Sequence, residues 1–322
     1  MAAALELARR GIASTIVEKA PGLGGMADRL ACKGSPRCIR CDACYPRDLR
    51  SEVERNPLVT VMTGATVTGL ERTDGGLLAS VLAGGSTDRI DAAAAIVATG
   101  ALPYDADLDP RLHHADCLDV LSAEEAERTL AATGTLVVPS TGRPPEELAI
   151  VQCVGSRDVG RGMPYCSKAC CKYGYRLGRH LRSLFPELRV TFFYMDWRPL
   201  EDERDALERW AAEDDHVVLV RSRPSEVLPG ERPVVRYAHP GEYVVEEPFD
   251  LVVLSVGIVA PPENAAIAAL AGLGRDEHGF LRSGPDRIFL AGTCSGPKDI
   301  RESVEEGIAA AGLAARRMEG GT

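Results

Sequence analysis

Ten cysteines stand in 322 residues, and eight of them fall into two groups. The second group runs Cys153, Cys166, Cys170 and Cys171, with the last two adjacent. Thiolates bind iron–sulfur clusters and zinc and are the attacking groups of disulfide exchange. This spacing therefore points to metal or redox chemistry. Iron–sulfur binding is the first reading, with zinc or a redox disulfide beside spare buried thiols as the plain alternatives.

The first group is Cys32, Cys38, Cys41 and Cys44. Its Cys38-x2-Cys41-x2-Cys44 run, followed by Tyr45-Pro46, opens as a ferredoxin-type ligand run does, but the next ligand position holds Asp48. A fourth ligand must come from elsewhere, with Cys32 nearest and Cys117 a remote choice. Paired Cys-x2-Cys spacing serves tetrahedral zinc equally well. Cys117 and Cys294 read as small packing residues.

These thiols need elements to hold them. Residues 148–154 form an apolar run that predicts a buried strand delivering Cys153, and residues 165–184 predict a helix. On such a helix Cys166 and Cys170 lie one turn apart while Cys171 points about 100° away, so binding one centre requires a local departure from regular helix. Strands at 189–195, 216–220 and 251–256 and a helix at 200–213 complete an α/β unit. Its first strand leads into Ser156-Arg157-Asp158, where a nicotinamide-binding unit would carry a glycine-rich phosphate loop.

The flanking segments predict another nucleotide-binding unit. Residues 2–10 read as a helix closed at Gly11, and residues 14–18 as a strand ending in Glu18, the acid that takes a ribose hydroxyl in a dinucleotide fold. The chain begins in mid-motif: a preceding strand and Gly-x-Gly-x-x-Gly loop are expected upstream of Met1. Strands follow at 58–63 and 66–71, one buried strand spans 90–99, helix dominates 115–132, and a strand at 287–291 precedes a terminal helix at 300–317. The Gly/Pro-rich stretch 139–145 is the expected domain boundary, giving domains 1–140, 141–258 and 259–322.

A net charge of −10 argues against nucleic acid as a partner, since that binding depends on cations. No apolar run approaches the roughly 20 residues that span a bilayer. Charges within the first ten residues interrupt the core a signal peptide needs. The expectation is a cytoplasmic protein without membrane insertion, where clustered thiols serve as ligands or catalysts.

Glu18 with Gly24-Gly25, Ala98-Thr99-Gly100, and Gly292 followed by Lys298-Asp299-Ile300 resemble the flavin segments of thioredoxin-reductase-like flavoproteins. In that fold a Rossmann-like domain is inserted between two parts of an FAD domain. The cysteine run from Cys153 to Cys171, Tyr194-Met195-Asp196-Trp197-Arg198, Asp276-Glu277-His278-Gly279 and Gly296-Pro297-Lys298-Asp299-Ile300 resemble the heterodisulfide reductase A-subunit family over nearly the whole chain. The resemblance implies FAD held by Glu18, Gly24, Gly25, Thr99, Gly100, Gly292, Asp299 and Ile300. It implies a [4Fe-4S] cluster on Cys153, Cys166, Cys170 and Cys171, and a second on Cys32, Cys38, Cys41 and Cys44.

Arg176 stands where several relatives place a lysine near the flavin, and Lys298 is a second cation beside the flavin segment. An arginine stays protonated, so it can stabilise anionic reduced flavin but not relay a proton. The implied function is electron transfer between flavin and partner iron–sulfur proteins, similar to the B and C subunits, with a homodimer also in keeping with the family. A self-contained NAD(P)H-dependent disulfide reductase and a zinc-stabilised interaction protein are the rival readings.

Overall fold

The computed structural model describes residues 1–31, 38, 42–198, 205–239, 241 and 243–319. Cys32 and Cys41 lie outside them. The chain forms two compact units. The first comprises Met1–Arg29, Asp42–Leu102 and the chain from Val259 onward; the second is built on Pro103–Ile258.

The second unit is a five-stranded parallel sheet in the order Val217–Val220, Arg189–Phe193, Glu147–Val154, Leu251–Val256 and Val120–Ser122. Leu148 to Val151 and Leu251 to Leu254 are unbroken buried runs. A strand covered on both faces needs that pattern rather than alternation. Val151 pairs with Phe193 on one side and Leu254 on the other, so Glu147–Val154 is the central strand. The helix Cys170–Leu184 packs Leu177 and Leu181 against Leu148, Ile150 and Phe192. Close approach is needed there: a Cβ on Gly178 would lie 2.7 Å from the Phe192 ring.

Three expectations for this unit change. Segment 115–132 is helical only in its second part: Val120–Ser122 is a strand, followed by the helix Ala123–Thr133 with a Ser122/Glu125 capping box. Because that short strand pairs with Leu251–Val256, the unit starts at Pro103 rather than near residue 141. The cysteine helix begins at Cys170 rather than 165, leaving Cys166 in the preceding loop. The departure from regular helix falls there, with Lys168 in the left-handed region at φ 60°.

The first unit carries two parallel strand pairs, Ser14–Glu18 with Val59–Thr63 and Ala95–Val97 with Ile288–Leu290. The segment expected as one strand over 90–99 is divided. Ser86–Ala92 joins an antiparallel meander with Ala65–Arg72 and Leu77–Ala83, and only Ala95–Val97 pairs with Ile288–Leu290. The helix Ala2–Arg9 serves both pairs: Leu5 packs with Ile16, Val59 and Val61, and Leu7 packs with Ile96, Ala311 and Ala315. The last two belong to the alanine-rich helix Ile300–Glu319.

Candidate functional site

The centre of the second unit's sheet ends in sulfur. Cys153 lies one residue before the end of the strand Glu147–Val154, while Cys170 and Cys171 open the following helix. In an open parallel sheet this carboxyl edge, before the next helix, is where ligands bind. Cys153, Cys170 and Cys171 are buried together beneath Met195 and Trp197. The Sγ atoms of Cys153 and Cys170 are 3.9 Å apart. Cys153 adopts φ 62°, a left-handed conformation unusual for a side-chain-bearing residue, and Gly155 follows at the same φ of 62°. This kink turns the chain out of the strand and into the loop that carries Cys166.

Buried hydroxyls fasten that loop. Ser156 Oγ accepts from the Ser167 amide at 2.9 Å and donates to Tyr165 O, while Ser167 Oγ accepts from the Ile258 amide at 3.1 Å. Ser255 Oγ donates to Cys170 O at 3.1 Å. Ser156, Ser167 and Ser255 have no exposed surface. The packing leaves room only for glycine at two positions. A Cβ on Gly257 would meet Ser167 Oγ at 2.5 Å, and one on Gly155 would lie 2.0 Å from the Tyr104 ring. Sequence reasoning missed Ser167, Ser255 and Tyr104, because a lone serine or tyrosine carries no spacing signal.

The local electrostatics favour thiolate at two of the sulfurs. A hydrogen bond from Cys170 brings the Cys153 thiol down to about 7 against the pull of burial, helped by the positive charges of Arg157 and Arg223. Cys171 is also lowered, by Cys170 and by the Arg198 backbone N–H. Cys170, which gives its hydrogen bonds to Cys153 and Cys171 and is itself buried, is raised. Both helix cysteines lie in the first turn, where the dipole favours negative charge. Asp196 anchors the covering segment through an ion pair with Arg157. Cys153 also borders a cavity of about 20 Å³ shared with Arg111 and Arg223, space for a water rather than for a disulfide substrate.

Three of the four thiols are thus brought together, and Cys166 stands apart, partly exposed, accepting from the Lys168 amide at 3.4 Å. Among the described residues no three Cys, His, Asp or Glu side chains stand at metal-ligating distance. The donor set nevertheless suits a soft-ligand centre: sulfur only, largely buried, with the unpartnered indole N–H of Trp197 packed against it. Of the other cysteine group, Cys38 and Cys44 are exposed, and Cys44 immediately precedes the helix Tyr45–Arg55. Cys294 is a packing residue, its S–H directed at Val97 O at 3.2 Å.

In the first unit the expected flavin residues sit at the carboxyl ends of the two parallel pairs. Glu18 ends its strand and accepts from the Ala20 amide at 2.8 Å, and Gly24 and Gly25 both have positive φ. Thr99 and Gly100 follow Ala95–Val97, Gly292 follows Ile288–Leu290, and the two turns meet at Gly100 and Thr293. Lys298 is engaged within the second of these turns, donating to Gly292 O at 3.3 Å and Ser295 Oγ at 2.8 Å and pairing with Glu306 at 3.3 Å. Asp299 caps the final helix: its carboxylate accepts from the Glu302 amide at 2.7 Å, and the Glu302 carboxylate accepts in return from the Asp299 amide. Ile300 is the first residue of that helix. Arg176 lies in the second unit, where its guanidinium, 3% exposed, forms an ion pair with Glu127 and lies over the Tyr173 ring.

Comparison with solved structures defines the fold class first. The chain superposes on thioredoxin reductase from Lactococcus lactis with a TM-score of 0.62 at 18% identity, over 99% of this chain and 95% of that one. It matches an NAD-dependent persulfide reductase from A. fulgidus with a TM-score of 0.57 at 20% identity, over 99% of this chain and 56% of the other. The fold is thioredoxin-reductase-like. Sequence narrows it further. The chain is 36% identical over 222 residues to an iron-sulfur A subunit of CoB–CoM heterodisulfide reductase from Methanopyrus kandleri, covering 63% of this chain and 34% of that one. It is 32% identical over 248 residues to the A subunit of the H(2):CoB-CoM heterodisulfide,ferredoxin reductase from Methanothermobacter thermautotrophicus, covering 71% and 37%. Over these stretches the chain is a relative of the heterodisulfide reductase A subunits, and it spans about a third of their length. No family model matches.

Proposed function

We propose that the protein is an electron-transfer oxidoreductase subunit that holds FAD in its first unit and a [4Fe-4S] cluster on Cys153, Cys166, Cys170 and Cys171. The observation that carries this is the buried meeting of Cys153, Cys170 and Cys171 at the strand end where a nicotinamide-binding unit would place its phosphate loop. When bound, the two groups supply two-electron and one-electron exchange respectively. The chain's own part is to exclude water from the sulfurs, to keep Cys153 and Cys171 near the thiolate form, and to fix the loop through Ser156, Ser167 and Ser255. In the first unit Glu18, Gly24, Gly25, Thr99, Gly100, Gly292, Asp299 and Ile300 would line the FAD, with the N-terminus of the final helix offering positive dipole. A second cluster on Cys32, Cys38, Cys41 and Cys44 belongs to the same proposal, as do cytoplasmic partners similar to heterodisulfide reductase B and C subunits.

Substitution separates the two cofactors. Cys170→Ser, in protein purified without oxygen, is expected to lose the broad iron–sulfur absorption and about four irons per chain while retaining flavin. A variant that keeps its full iron content would remove this cysteine set from the proposal.

A further inference from the structure

Trp197 lies over the candidate centre with its polar edge unused. The indole packs against Cys153, Cys170 and Cys171, and Nε1 is closed to solvent with no acceptor among the described residues. Buried indole N–H groups find a partner as a rule. The other tryptophan of the chain obeys it: Trp210 Nε1 donates to Asp214 at 3.3 Å.

The segment before Trp197 is pinned: Asp196 pairs with Arg157, and Met195 O accepts from Arg221 Nε at 3.1 Å. The ring itself is wedged edge-on against Tyr175, with centroids 5.9 Å apart at 67°. This unpartnered donor is held against a cluster of three cysteines, whose sulfurs can accept.

We infer that the Trp197 indole N–H donates a hydrogen bond to a sulfur of the metal–thiolate centre and raises its reduction potential. The inference rests on the cluster reading of Cys153, Cys166, Cys170 and Cys171. The physical reason is that reduction adds negative charge to the sulfurs, and a donor stabilises the more negative state. Trp197 acts through the ligands and is a positioning and tuning residue. Gln152, whose amide is likewise buried without a partner, faces Gly174 on the cysteine helix.

The test uses the whole chain, purified without oxygen, labelled with 15N at the indole and reduced with dithionite. Pulsed EPR is expected to show a weak 15N coupling that vanishes in Trp197→Phe, which retains Trp210. In Trp197→Phe the redox midpoint should move negative with iron content unchanged. A fully iron-loaded native chain with no indole coupling, or a Trp197→Phe variant with normal iron and an unchanged midpoint, overturns the inference. If Trp197→Phe fails to hold iron, the coupling in the native chain decides alone. Iron and sulfide assays on the same samples keep the two failures apart: a native chain without iron removes the cluster reading itself.

Discussion

Arg176 and Glu127 are each almost wholly removed from water, at 3% and 2% side-chain exposure, and each is the other's countercharge. Removing one member of such a pair strands the other, at a cost of about 3–5 kcal/mol. Arg176→Met should lose stability on that scale in urea unfolding, and the Glu127→Gln/Arg176→Met double variant should recover a large part of it. From the sequence Arg176 reads as a flavin-facing cation. Its partner lies 49 positions away on another helix, and no local pattern reports such a distance. His114 is a comparable case. His114 joins Asp107 at 2.5 Å and Glu125 at 2.7 Å, partners seven and eleven positions away. Burial opposes its charge, but the bonds to Glu125 and Asp107 outweigh it and the pKa is raised. A raised histidine stabilises the fold fully below its unfolded value of about 6.5, and that contribution is lost as pH rises through the folded value. Stability should therefore decline over this window, and His114→Gln should flatten the decline. An unchanged slope in the variant would assign the dependence to another group.

At the level of elements, the sequence is most legible where burial makes a continuous apolar run. The strand over 148–154, the strand over 251–256 and the body of the cysteine helix all follow from such runs, and the structure places them within a residue or two at most ends except the helix start. Short elements are not legible in this way. Val120–Ser122 has three residues, and sheet pairing rather than propensity makes it a strand. The cysteine helix starts late because the Ser156, Ser167 and Ser255 hydroxyls hold the loop before it, a long-range arrangement. The same helix is seated by glycine. Gly178→Ala would push a methyl group toward the fully buried Phe192 and toward Trp210. We expect a loss of about 1–3 kcal/mol in chemical unfolding, the usual cost of overpacking. Wild-type stability in this variant would show that the helix can shift outward freely.

For the molecule as a whole, residue types foretell the site better than they foretell its geometry. The four cysteines of the second group are evident from spacing, and three of them meet in the core. The roles of Tyr104, Ser167, Ser255 and Trp197 arise only from folding. The glycine turns at Gly100 and Gly292 are likewise evident as strand ends, whereas their meeting through Thr293 depends on the parallel pairing of segments almost 200 residues apart. The fold thus provides two separate settings, one at the carboxyl ends of paired strands in the first unit and one lined by sulfur in the second. The central claim is that these settings hold a flavin and an iron–sulfur centre between which electrons pass. It is tested most directly by a stepwise anaerobic reductive titration of the purified chain, following absorption and EPR with iron, sulfide and flavin measured on the same sample. With both groups bound, flavin bleaching is expected together with the EPR signal of a reduced cluster, and at least about four irons per chain. Zinc in place of iron, or electron uptake by flavin alone, would contradict it.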